Sequence, residues 1–153
     1  MAINKFLSKE KAIDILDKVS LFDDLSSKEK EVLSGFNWCF VLYDTDDYLT
    51  DEGSLDKRFF ILLSGQVNII KGAQKQIITQ LKAGEVVGEI SFLTNEPRTA
   101  SVVSTTKSSA LVINQELLDE LPIELREKLK DQIVLKLAQR LNRMNNRFAL
   151  GNL

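Results

Sequence analysis

Residues 87–102 hold the side chains best suited to chemistry: Val87-Gly88-Glu89-Ile90-Ser91-Phe92-Leu93-Thr94-Asn95-Glu96-Pro97-Arg98-Thr99-Ala100-Ser101-Val102. Glu89 to Leu93 reads as a short helix behind a tight glycine. The first backbone N–H groups of such a helix are unpaired and lie at the positive end of its dipole, which favours an anion. Arg98 supplies a planar, permanently charged fork that suits a phosphate. Glu89 can accept hydrogen bonds from a sugar hydroxyl. Gly88 lets the backbone approach a ligand with no Cβ in the way. Taken as an isolated pair, an Arg and a Glu nine positions apart are usually solvated surface charges, so their weight depends on the segment around them.

Other chemistries are largely removed by composition. The 153 residues include no histidine, which takes away the commonest general base, the Ser-His-Asp and Cys-His pairs, and the usual metal ligand. Cys39 is the one cysteine, so neither an intrachain disulfide nor a thiolate zinc site can form, as fits a reducing cytosol. Asp44, Asp46, Asp47, Asp51 and Glu52 form an acidic run, but it lacks the Gly and Glu spacing of a helix-loop-helix calcium loop and reads as solvated turns. No stretch approaches the roughly 18 apolar residues of a membrane span. The charged N-terminus lacks the apolar region of a signal peptide. A cytoplasmic, non-enzymatic protein is expected.

The elements that must position residues 87–102 fall into three blocks of one domain, 1–153. In 1–35, Ser8 reads as an N-cap before an apolar stripe of Ala12, Ile13, Ile15, Leu16 and Val19. Ser26 and Glu29 have the spacing of a capping box, with Val32 and Leu33 facing inward behind it. In 36–113, short strands are expected at Phe36–Leu42, Tyr48–Thr50, Arg58–Leu63, Gln66–Ile70, Gln76–Leu81, Thr99–Val103 and Ser109–Ile113, separated by Asp-, Gly- and Ser-rich breaks. Strands this short and evenly punctuated indicate a barrel or sandwich, and a β jelly-roll of about eight strands closes that number naturally. In 114–153, Asn114 caps a short helix that Pro122 ends, and a long helix runs from about Ile123 to Phe148.

The cassette 87–102 resembles the phosphate-binding cassette of cyclic nucleotide-binding domains, whose pattern runs Phe-Gly-Glu, a short helix, then Pro-Arg and small residues. Leu21-Phe22-Asp23-Asp24-Leu25, Asp51-Glu52-Gly53-Ser54, Phe59 to Val67 and Leu81-Lys82-Ala83-Gly84-Glu85 extend the resemblance over roughly residues 20–148. It implies that Arg98 pairs with the exocyclic phosphate and Glu89 with the ribose 2′-hydroxyl. The amides of Ile90, Ser91 and Thr99 would complete the cradle, beside Gly88 and Ala100. Thr99 is compatible with cGMP as well as cAMP. Two positions depart from the family pattern: Asp46 stands at a turn usually made by glycine, and Val87 replaces the cassette phenylalanine. Arg140 or Arg143, on the long helix, is placed to reach the purine.

That helix carries Leu125, Leu129, Ile133, Leu137, Leu141, Met144 and Phe148 at spacings of four, four, four, four, three and four, one continuous apolar face. Lys136, Arg140, Arg143 and Arg147 form a basic stripe beside it. Residues 122–153 hold seven basic and three acidic side chains, a net +4 in a chain whose total is -2. The apolar face is too long for one small barrel to cover, so pairing with a second copy is expected; packing on its own barrel and nucleic-acid contact are the competing uses. Ile133 to Leu141, with Leu137-Ala138-Gln139-Arg140-Leu141 inside it, resembles the dimer helix of catabolite activator-type transcription factors. Only five residues follow Phe148, so no recognition helix and no sequence-specific nucleic-acid binding is expected. The resemblance therefore implies a stand-alone cyclic nucleotide (cAMP or cGMP) sensor that acts through its C-terminal helix on a homodimer or an effector protein. A scaffold that keeps the fold without binding, or a regulator related to the catabolite activators, is the alternative.

Overall fold

The computed structural model of the protein describes residues 3–151. Among the described residues, nine strands form two antiparallel sheets, a β jelly-roll with helices at both ends. The strands are β1 (Ile3–Phe6), β2 (Cys39–Tyr43), β3 (Tyr48–Thr50), β4 (Phe59–Ser64), β5 (Gln66–Lys71), β6 (Gln76–Lys82), β7 (Val86–Val87), β8 (Ser101–Ser104) and β9 (Ser108–Ile113). One sheet has the order β1-β2-β9-β4-β7 and the other β3-β8-β5-β6. The helices are α1 (Lys9–Lys18), α2 (Ser27–Ser34), α3 (Glu89–Thr94), α4 (Gln115–Glu120) and α5 (Ile123–Gly151).

Two cores follow from the alternation of strand side chains. Phe60 and Leu62 of β4 point between the sheets, where they meet Val41, Val67, Leu81, Val87 and Val102. Phe59 and Ile61 of the same strand point to the other face, against Leu16, Phe22, Leu33, Trp38, Leu125, Leu129 and Ile133. All four β4 residues are fully buried, which explains why this strand reads as an unbroken apolar run. The helices thus cover the outer face of the five-stranded sheet, and α5 leaves that face near Ile133 to run past the cassette.

The local signals act where they were expected. Ser8 accepts from the Lys11 amide. Ser26 and Glu29 make a complete capping box, and Asn114 accepts from the Leu117 amide. Asp46 has φ 72°, a conformation that Asp tolerates better than most residues. Gly65, at φ 87° between β4 and β5, has no substitute: a Cβ there would lie 2.2 Å from Ser108 Oγ.

Four expectations need correction. Val32 is exposed while Leu33 is fully buried, because adjacent residues on a helix are about 100° apart and α2 packs on one side only. The first barrel strand starts at Cys39 rather than Phe36. Trp38 turns back, its amide donating to Phe36 O at 3.0 Å and its indole to Leu33 O at 2.7 Å. The strand expected from Thr99 begins at Ser101, since Thr99 and Ala100 form a bend. Finally, β1 and β7 lie outside every expected strand. β1 pairs antiparallel with β2, Phe6 opposite Cys39.

Candidate site at the cassette and the C-terminal helix

The cassette lies between β7 and β8, held by chain pairing on both sides. β7 pairs with β4, Phe60 opposite Val87. The Arg98 amide donates to Ser54 O and Gly53 N donates to Arg98 O, both at 2.8 Å, tying the arginine backbone to the turn after β3. Gly88 caps α3 in the left-handed region, φ 83°, and a Cβ there would lie 2.7 Å from Arg98 Nη1. Glycine is needed at this position on both counts.

Arg98 is buried, 4% exposed. Its Nε donates to Thr50 Oγ1 at 3.0 Å, its Nη1 to Gly88 O at 2.6 Å, and its Nη2 to Arg58 O. The Asp56 carboxylate lies 3.6 Å from Nη2 and is itself gripped by Arg58 through two side-chain hydrogen bonds. Burial lowers the pKa of the Arg98 guanidinium, with the Asp56 charge acting the other way. Burial also pushes the Asp56 carboxyl up, but the hydrogen bonds and charge of Arg58 outweigh it and hold Asp56 below its ordinary value. A buried cation is thus kept charged by one carboxylate and three neutral acceptors. Three of its five N–H bonds are used.

Glu89 faces it from the first turn of α3, 3% exposed. Burial raises its pKa, opposed by the charge of Arg140, whose Nη1 donates to Glu89 Oε1 at 2.8 Å. Arg140 also donates to Val86 O. A single side chain of α5 therefore reaches both the cassette carboxylate and the strand before it.

Gly88, Glu89, Ile90, Ser91, Arg98, Thr99 and Ala100 all line one small cavity of about 90 Å³, together with Thr50, Ile69, Val102 and Arg140. It opens into a largely apolar cleft of about 320 Å³ in which Ile69 and Ile78 face Leu137, Leu141 and Met144 of α5. Glu89, Ile90, Thr99, Ala100 and Arg140 border both spaces. Of the two arginines of α5 that the sequence offered for the base, Arg140 borders both spaces. Arg143 borders neither space and instead donates to Glu85 at 2.9 Å, a correction that follows from its position on the neighbouring face of α5. Thr50, Asp56 and Arg58 went unnoticed in the sequence, since β3 and the segment before β4 reach Arg98 only through closure of the barrel. Among the described residues no acidic or cysteine cluster could hold a metal ion. No helix among them is long and apolar enough to cross a membrane.

The profile of the cyclic nucleotide-binding domain matches residues 40–122, more than half of the chain. The human cyclic nucleotide-gated channel beta-1 is 32% identical over 111 residues, which is 70% of this chain and 9% of the channel. The cGMP-dependent protein kinase of Plasmodium berghei is 33% identical over 95 residues, 61% of this chain and 11% of the kinase. The chain thus spans about a tenth of the length of these curated relatives. Among solved structures, a cyclic nucleotide-binding domain from Methylobacillus flagellatus superimposes with a TM-score of 0.80 at 25% identity, covering 98% of this chain and 90% of that one. With the jelly-roll, the cassette and these matches in agreement, the chain belongs to the cyclic nucleotide-binding domain family.

Proposed function

We propose that the protein is a cyclic nucleotide sensor, binding cAMP or cGMP at the cassette and signalling through α5. The observation that carries the reading is the meeting of Arg98 and Glu89, both buried, with three apolar side chains of α5 around two connected spaces. In this reading the two N–H bonds that Arg98 has to spare, with the amides of Ile90, Ser91 and Thr99, hold the cyclic phosphate. Glu89 Oε2 accepts from the ribose 2′-hydroxyl while Arg140 keeps Oε1. The purine enters the apolar cleft, between Ile69 and Ile78 on one side and Leu137, Leu141 and Met144 on the other. The ligand then touches barrel and helix at once, the differential contact that a ligand-driven shift requires. Thr99 borders both the phosphate and the purine space, so its hydroxyl can bond the phosphate and a guanine amino group alike.

In this reading the site binds its ligand and does not turn it over. The whole of 1–153 acts as one unit, with 1–35 as a helical cover, 36–113 as the binding barrel and 114–153 as the output. We place it in the cytoplasm, acting on a second copy or a separate effector and not on a membrane or a specific nucleic-acid sequence. Calorimetric titration of nucleotide-stripped protein with cAMP, cGMP and linear 5′-AMP tests this directly. One cyclic nucleotide should give saturable heat and 5′-AMP none. Silence from both cyclic nucleotides, at concentrations that reveal micromolar affinity and at two temperatures, would make the protein a scaffold that works through α5 alone.

A further inference from the structure

The basic stripe of α5 faces a second, larger cavity that the cyclic nucleotide site leaves unused. This cleft, of about 510 Å³, lies between α5 and the Ala83–Val86 segment, with Ser20 at one end. Arg140 is the only residue it shares with the cassette cavity or with the purine cleft. Its charged lining is Lys136, Arg140 and Arg143 against Glu85 alone, a net +2 on a protein whose total charge is -2. A further hollow of about 340 Å³ continues past the Arg143 and Glu85 pair, and brings Lys82 and Arg147 to the same side.

The donors there are only partly satisfied. Lys136 Nζ donates to Ser20 Oγ at 2.7 Å, which leaves two of its three N–H bonds. Arg143 spends Nη2 on Glu85 and its side chain is half exposed. Arg140 Nε is buried with no acceptor, a costly state that a nearby anion relieves. Lys136 and Arg143, neither of which borders the cassette cavity, bring two cations with spare donors to the cleft, and Arg140 adds a third that it shares with the cassette, a set that matches an anion of two or more charges. The volume is that of a site for a small metabolite rather than for a bare ion.

We propose that this cleft binds a small phosphorylated metabolite of the di- or polyphosphate class, at a site separate from the cassette. Inorganic pyrophosphate is the probe, titrated calorimetrically into the full chain at constant ionic strength. Saturable binding should weaken by about tenfold or more in the Lys136→Gln, Arg143→Gln double variant, as loss of two charge-assisted contacts requires, and persist in Arg98→Gln. Three results would overturn the proposal: no saturable binding by the folded wild type, binding that is lost in Arg98→Gln but kept in the double variant, or displacement of pyrophosphate by a mixed-sequence DNA duplex at equal phosphate concentration. The second places the anion in the cassette, and the third makes the stripe a general polyanion surface. None of them bears on cyclic nucleotide binding, which is titrated separately.

Discussion

Arg98 serves two purposes with one guanidinium: it braces the barrel and it presents charge to the cavity. Its contacts with Thr50, Gly88 and Arg58 use a fork geometry that an ammonium cannot copy. Arg98→Lys should therefore lose most nucleotide affinity despite keeping the charge. Removing a partner from a desolvated ion pair costs about 2–5 kcal/mol, so Arg98→Ala should weaken binding tens-fold or more by calorimetry. Glu89 gives a pH prediction. Burial raises its folded pKa above the ordinary 4.5, so from pH 4.5 up to that raised value the native state holds more protons than the unfolded chain. Its contribution to stability is then full below pH 4.5 and falls as pH rises through the window. Denaturant unfolding from pH 4 to 7 should show this decline in the wild type and a shallower one in Glu89→Gln. Equal slopes would show that Glu89 does not titrate differently on folding. The sequence made Arg98 and Glu89 legible through their motif, but not what holds them. Thr50 is 48 positions from Arg98 and Glu89 is 51 from Arg140, distances that only the closed fold removes.

Helix α5 divides its length between two tasks. Leu125, Leu129 and Ile133 are buried against the five-stranded sheet, while Leu141, Met144 and Phe148 are 57%, 37% and 75% exposed. Ile133→Ala should cost about 2–5 kcal/mol of stability, the usual range for a buried large-to-small change. Leu141→Ala should cost about 0.5 kcal/mol or less yet weaken nucleotide binding, because Leu141 faces the purine cleft. Urea unfolding and nucleotide titration of the two variants separate these effects, and a large stability loss in Leu141→Ala would contradict the division. Most elements were legible because their signals are local: a capping box at Ser26, a cap at Asn114, a four-residue apolar repeat along α5. The missed strands lack such signals. β1 is four residues long, INKF, with two polar residues between two apolar ones, so the sequence shows no alternation, and β7 is two residues long. The apolar repeat of α5 also says nothing of where its buried part stops, which depends on where the sheet beneath it ends.

For the molecule as a whole, the exposed part of α5 is what a second copy would cover. Val134 and Leu135 are 54% and 47% exposed, on a helix that has already left the sheet. Sedimentation at tens of micromolar should give a dimer, about the range a modest helical interface supports, and Leu135→Glu should make it monomeric with nucleotide binding intact. A wild type that stays monomeric throughout would assign the helix to a different effector. The jelly-roll class was readable from strand length and punctuation alone, whereas the way α5 joins the cassette through Arg140 depends on the fold. The most direct test of the whole is an amide-resolved NMR titration of the wild type with cAMP and with cGMP. One of them should shift the amides of Gly88, Ile90, Ser91, Thr99 and Ala100 first and most, with Leu137 to Met144 following along the same isotherm. Saturation that moves other amides and leaves the cassette unchanged, or no shifts with either nucleotide, would contradict a sensor built on this site.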